Sequence, residues 1–430
     1  MKALQFPRKP VRYAAGMVAG SLRPGRGARF GPLALRDVEP PELPGPEWVR
    51  VRPRLAGICG SDLATIDGTS SRWFEPIVSF PFTPGHEVVG ETEDGRRVVV
   101  IPVLHCVVRG IDPVCEMCAS GRVNLCERVA FGHLEPGLQT GFCESTGGGW
   151  SAELVAHPAQ LVAVPADLTD EQAVLVEPTA CAVHAAQQVL AGTDGRIAVI
   201  GAGALGLLTI AALRALDDGA VPGRGPIIAT AKYTEQRRWA KELGADVVCA
   251  PGELERAVRS AVGAHVLDHG QLTGGVDAVV DCVGSEPSIA QAVRVCAPGG
   301  TVHLVGMPGV TSVDLTPVWQ REVALRGAYA YEVPSPAAPA GASGDDFATA
   351  IDLVRRLDLG RLVTTTYPLS RYEDAIAHAA EAGIRGAVKV AFDLRGRQGA
   401  APASGASHSA PDGAPHPRPV PSPRAPEKKE

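Results

Sequence analysis

Three side-chain types that bind zinc lie in the first half of the chain. Cys59 sits in Gly57-Ile58-Cys59-Gly60-Ser61-Asp62, His86 and Glu87 follow in Gly85-His86-Glu87, and Glu177 stands in Val176-Glu177-Pro178. A thiolate, an imidazole and a carboxylate suit a tetrahedral zinc that keeps one position for water or substrate. Zinc so held polarises a hydroxyl and lowers its pKa, and the hydroxyl of Ser61 can then carry the proton away. Any one of these residues could serve only in packing or capping. Their joint occurrence ahead of a dinucleotide-binding pattern points to catalysis.

A second constellation is Cys115-x-x-Cys118-(x7)-Cys126, with Cys106 and Asp112 nearby. Such spacing in a chain expected to be non-secreted is a metal signature, and a closed structural zinc site takes four ligands. Cys106 or Asp112 is the expected fourth; a reduced, metal-free lobe is the alternative. His105 and His133 read as structural. Cys143, Cys181, Cys249, Cys282 and Cys296 fit no ligand spacing and read as core.

Gly201-Ala202-Gly203-Ala204-Leu205-Gly206 follows an apolar run and opens a helical stretch. In that context the first glycine permits a tight turn and the second lets the backbone approach a pyrophosphate. The third allows close helix–strand packing, and free N–H groups at the helix start meet the phosphates. An acidic residue at the end of the next strand would accept the ribose hydroxyls of NAD and repel a 2′-phosphate. This chain instead has Thr230-Ala231-Lys232-Tyr233 with Arg237 and Arg238 behind, which favours NADP over NAD.

These groups need a scaffold. Up to about residue 180 short apolar runs, such as 98–103 and 161–164, alternate with Gly and Pro, as in a β-rich domain with loop-borne sites. Residues 171–190 are Ala-rich and read as helix. From residue 196 strand-like runs at 197–200, 227–230, 246–249, 278–281, 301–305 and 323–326 alternate with helical stretches, the pattern of a doubly wound parallel sheet. The fold class is α/β, with expected domains at 1–185 and 186–330 and a return to the first domain over 331–395. Residues 396–430 are rich in Pro, Ala, Ser and Gly and are expected to be disordered, because they cannot bury enough surface to offset ordering entropy.

Composition narrows the rest. The 430 residues are 45% hydrophobic and 20% charged, which allows large buried cores. A formal net charge of −6 without a long basic run argues against nucleic acid as a partner. The apolar stretch 197–216 contains glycines and Arg214 and reads as strand, turn and buried helix rather than a membrane span. With no leader pattern, a reducing cytoplasm is the expected location.

GICGSD at 57–62, GHEVVG at 85–90, the Cys cluster through NLCE at 124–127, VEP at 176–178 and GAGALG at 201–206 occur in one order. In this the chain resembles the zinc-containing medium-chain dehydrogenase/reductase family over roughly residues 1–395. The resemblance implies a GroES-like catalytic domain, an inserted Rossmann domain, and hydride transfer between an alcohol carbon and a nicotinamide. It also implies a dimer or tetramer. On it, Cys59 and His86 match catalytic zinc ligands, Glu87 and Glu177 match carboxylates that bind zinc directly or through water, and Ser61 matches the hydroxyl that meets the substrate alcohol.

Two departures bear on the site. Ala64 stands where some relatives carry a relay His, and Asp112 stands where the first lobe ligand is usual. The acidic ligand set resembles the polyol, sugar and threonine branches, so the expected activity is NAD(P)-linked oxidation of a polyol, sugar or hydroxy amino acid. A non-catalytic dinucleotide-binding sensor with this fold is the reading from another class.

Overall fold

The computed structural model describes residues 1–193, 195–217, 225–335, 337 and 344–396; apart from Gly396, the tail expected to be disordered lies outside the described residues. Seven strands come first: β1 Lys2–Gln5, β2 Ala34–Asp37, β3 Val49–Gly57, β4 Val88–Thr92, β5 Arg97–Val100, β6 Leu154–Ala156 and β7 Leu161–Ala163. Six more follow as β8 Ile197–Ile200, β9 Ile227–Thr230, β10 Val247–Cys249, β11 Val276–Asp281, β12 Cys296–Leu304 and β13 Ala324–Gly327. The last two are β14 Val363–Tyr367 and β15 Lys389–Asp393.

β3 to β7 join β14 and β15 in one seven-stranded sheet, ordered β14-β15-β3-β4-β5-β7 with β6 paired to β3. Strand β3 shows why. In Val51, Pro53 and Leu55 it buries alternate residues, while Arg52 faces outward, the period-2 pattern of a half-buried strand. Its register against β4 shifts between Pro53 and Leu55, where proline has no N–H for the ladder. The return of the chain at β15 pairs Ala391 with Gly57, placing the C-terminal segment beside the Cys59 loop.

The second sheet is parallel throughout and ordered β10-β9-β8-β11-β12-β13. All four residues of β8 and of β9 are buried, as expected where helices cover both faces. The strand order reverses beside β8, which places the glycine turn at the crevice where such sheets bind ligands. The chain thus combines a GroES-like β-rich domain with a Rossmann-type doubly wound sheet.

Two local expectations differ. The first 180 residues are not purely strand and turn: helices α1 Pro10–Leu22 and α2 Gly27–Phe30 lie between β1 and β2, and α3 Gly60–Ile66 follows β3. The helix expected over 171–190 is broken into Asp170–Ala173 and Val176–Gly192. Pro178 has no N–H for the carbonyl of Val174, so one helix cannot run through, whereas a first turn tolerates it. The expected change of domain at 185–186 falls inside the second of these helices.

Candidate active site and zinc lobe

Cys59 is the N-cap of α3, and His86 and Glu87 immediately precede β4. Because β3 and β4 are hydrogen-bonded neighbours, the loop leaving one and the loop entering the other meet at the same end of the sheet. Donor atoms of Cys59, His86 and Glu87 all lie within 4.8 Å of one another. His86 and Glu87 are buried. His86 Nδ1 stands 3.5 Å from Asp62 Oδ1, and Asp62 Oδ2 accepts from the Cys59 backbone N–H at 2.9 Å. Asp62 thus stands beside the imidazole, where an outer carboxylate stands for a metal-bound histidine. His86 Nδ1 and Asp62 Oδ1 are buried without a hydrogen-bond partner. A soft thiolate, an imidazole and a carboxylate facing one point fit zinc.

Glu177 lies in the first turn of helix Val176–Gly192 and is buried. It falls outside the close three-donor set, yet it is near enough to feel its charges. Burial pushes the Glu177 carboxyl up to about 7, with His86 drawing it down and Glu87 pushing it further up. Cys181, one helical turn on, donates from Sγ to Glu177 Oε1 at 3.8 Å. Cys181 therefore faces the site rather than serving only as core, because the i,i+4 spacing of a helix puts it over Glu177.

Lys389 is the residue that sequence reading missed. Its ammonium, on β15, forms a buried ion pair with Glu87 Oε2. Gly57 makes the space, since a Cβ there would strike both Glu87 and Lys389. A lysine in Ala387-Val388-Lys389-Val390 looks like the outward position of an edge strand; only the pairing of β15 with β3 brings it inward. Among the aromatic residues, Phe142 stands with its ring 6.0 Å from His86. Trp150 is core and donates to Gly57 O, and Trp73 is 81% exposed. Ser61 is half-buried on the first turn of α3.

In the cysteine lobe, Cys106, Cys115, Cys118 and Cys126 form a buried set with sulfurs within 4.8 Å of one another. Cys106 and Cys126 are 3.6 Å apart, and Cys115 and Cys126 are 4.0 Å apart. A tetrahedron with Zn–S bonds of about 2.3 Å has edges of roughly 3.8 Å, so the four thiols fit a closed zinc site. Backbone N–H groups of Cys115 and Arg128 point at Cys106 and Cys126 sulfurs, at 3.3 and 3.4 Å. Cys126 is held down to about 5, chiefly by a hydrogen bond from Cys118, whereas burial pushes Cys106 up to about 11. Between the two expected fourth ligands the geometry separates cleanly: Cys106 is in the set, and Asp112 is exposed outside it. The fully buried Arg109 braces the lobe by donating to the carbonyls of Leu104, Phe131 and Gly137.

The glycine turn has the expected form. Gly201 adopts φ +91°, Gly203 caps helix Ala204–Leu216, and a Cβ on Gly206 would collide with Gly201 O. Gly201 N donates to Thr230 Oγ1 at 2.9 Å, tying the turn to the end of β9. Beyond it Lys232 is exposed, with its ammonium 5.5 Å from the Tyr233 ring centre, and Arg237 Nε donates to Ala231 O. Helix Val176–Gly192, which carries Glu177, packs along helix Ala204–Leu216 and so links the metal-type cluster to the glycine turn.

Residues 45–166 match the alcohol dehydrogenase GroES-like domain, and residues 204–356 match the zinc-binding dehydrogenase domain. The chain is 31% identical over 376 residues to a sorbitol dehydrogenase of Arabidopsis thaliana, covering 83% of this chain and 92% of that one. It is 29% identical to an L-idonate 5-dehydrogenase of Vitis vinifera, covering 83% and 91% respectively. Among solved structures, a zinc-binding dehydrogenase from Sinorhizobium meliloti 1021 bound to NADP superposes with a TM-score of 0.65 at 24% identity, over 91% of this chain and 98% of that one. From its two matched domains and its extended likeness to these relatives, the chain belongs to the zinc-type medium-chain dehydrogenase family.

Proposed function

We propose that this chain is a zinc-dependent, NADP-preferring dehydrogenase that oxidises a secondary hydroxyl of a polyol or sugar. The observation that carries this is the convergence of Cys59, His86 and Glu87 donors on one buried point. In this reading those three residues hold the catalytic zinc, with Glu177 as a further carboxylate beside it. The zinc supplies Lewis acidity toward the substrate oxygen. Ser61 Oγ relays the substrate hydroxyl proton, accepting it as its own hydroxyl proton passes to solvent. Glu177, held near neutral pH by burial, can accept and release a proton in the range where the reaction must run. Lys389 offsets the charge of Glu87, so that two buried carboxylates do not face one another uncompensated. Gly201 to Gly206, including the Ala204 and Leu205 N–H groups, receive the pyrophosphate at the helix start. Nothing acidic stands at Ala231 to repel a 2′-phosphate, and Lys232 and Arg237 flank the position.

A second, structural zinc on Cys106, Cys115, Cys118 and Cys126 is part of this reading. So are the division of the chain into 1–185 with 331–395 against 186–330, a homo-oligomeric state and a cytoplasmic location. The polyol assignment draws on the names of the sorbitol and L-idonate relatives and on the acidic donor set. The test is turnover on a polyol, sugar and hydroxy amino acid panel with NAD and NADP, using zinc-reconstituted parent and Cys59→Ala. Oxidation by the parent alone is expected. No turnover with either cofactor, together with retained dinucleotide binding, would instead favour a dinucleotide sensor.

A further inference from the structure

Strands β1 and β2 pair directly, with Gln5 opposite Ala34. A tight hairpin needs only two to five linking residues, yet residues 6–33 intervene here and fold into α1 and α2. This insertion is firmly anchored. The buried Asp67 carboxylate, at the end of α3, accepts from Gly25 N at 2.7 Å and Gly27 N at 2.9 Å. Arg23 makes a two-pronged bond to Glu381. Gly16 and Ala19 form the buried side of α1, and a Cβ at Gly16 would stand 3.1 Å from Gly31 Cα.

The other side of α1 faces solvent although it is apolar. Val11, Val18 and Leu22 are 84%, 63% and 76% exposed, with Ala14, Ala15 and Met17 between them also exposed. Those spacings make one continuous helical stripe. The charge around it is one-sided. The first 36 residues hold eight Lys or Arg and no Asp or Glu, in a chain of net charge −6. Lys9, Arg26 and Arg29 are exposed and make no ion pair among the described residues. They bracket the stripe in sequence, together with the exposed Phe30.

We propose that this insertion is a docking surface for an anionic lipid bilayer, on which α1 lies flat with Val11, Val18 and Leu22 entering the headgroup boundary. An exposed apolar helix face flanked in sequence by cations, on a chain with no membrane-crossing helix among its described residues, offers the two attractions, apolar burial and charge, that hold a segment on an anionic membrane surface. Charge complementarity selects this occupant. A second copy of this segment carries the same positive charge, whereas an anionic bilayer offers the opposite sign. The stripe also lacks the Trp, Tyr or Arg anchor that dominates protein–protein contacts.

The test is co-sedimentation of the full chain with phosphatidylcholine vesicles and with vesicles containing 30% phosphatidylserine, at low and high salt. The parent, Val18→Asp/Leu22→Asp and Lys9→Glu/Arg26→Glu are compared, with thermal unfolding confirming that each is folded. Salt-sensitive binding to the anionic vesicles alone, weakened at least tenfold in both variants, is expected. Three results would each overturn the proposal. One is no vesicle binding by the parent. Another is binding that both variants keep. The third is an oligomer of the parent in solution that Val18→Asp/Leu22→Asp dissolves without any vesicle binding, which would make the stripe an interface between copies.

Discussion

Replacing Cys106 by serine should remove one zinc ion per chain and leave the other. The sulfurs of Cys106 and Cys126 stand 3.6 Å apart, close to the edge of about 3.8 Å that a zinc tetrathiolate requires. Asp112, at the position usual for the first ligand, is exposed outside the set. Serine keeps the volume but offers a hydroxyl that remains protonated near neutrality and binds zinc weakly. Loss of even an outer partner of a ligand lowers metal affinity about 10- to 100-fold, so loss of the ligand itself should weaken the lobe site by on the order of a hundredfold or more. The assay is zinc per chain by mass spectrometry after dialysis against a chelator of intermediate affinity, with thermal unfolding in parallel. The parent should hold two ions, Cys106→Ser one, and Asp112→Asn two. Cys106→Ser should also unfold at lower temperature, because the lobe packs on the rest of the chain through Asn124, which donates to Tyr329 O at 2.8 Å. Retention of two ions by Cys106→Ser, with loss of one in Asp112→Asn, would refute the reasoning.

Three further outcomes follow from the geometry. In the zinc-free chain, Lys389→Met leaves the buried Glu87 carboxylate without its cation, which typically costs about 3–5 kcal/mol; a change below about 1 kcal/mol in chemical unfolding of the zinc-free chain would show that the pair is not coupled. Ala231→Asp should lower kcat/KM for NADP by at least about tenfold relative to NAD, because a carboxylate there repels the 2′-phosphate; an unchanged cofactor ratio would remove the Ala231 argument. Burial holds His105 down to about 4, with His157 adding to it. The folded state therefore favours the neutral ring, and its stability is complete above the ordinary pKa of about 6.5 and drains away as pH falls toward 4, by at most about 3 kcal/mol. Unfolding temperatures measured from pH 7.5 to 4.5 should fall more steeply in the parent than in His105→Gln, and parallel curves would contradict the assignment.

Much of the molecule was legible in the sequence because its signals are local. The glycine turn at Gly201 to Gly206 depends on φ at Gly201 and on close approach at Gly206, both fixed within six residues. The alternation of apolar runs from residue 196 onward predicts a parallel sheet, since each strand must be buried on both faces. The donors Cys59, His86 and Glu87 were recognisable from residue type and from their order along the chain. Helices α1 and α2 were not, because α1 is small and apolar on both sides and carries no periodic contrast between faces.

Tertiary structure decided whatever depends on which strands become neighbours. Lys389 lies 302 residues from Glu87 in the chain, and only the antiparallel pairing of β15 with β3 carries its ammonium into the site. Cys181 changed from core to a neighbour of Glu177 because a helix turn superposes them. The choice of Cys106 over Asp112 likewise needed the path of the lobe, which Arg109 sets by gathering distant carbonyls. Sequence alone determined which chemical groups this chain owns; the pairing of its strands decided which of them meet, because a charge or thiol acts only over a few ångströms.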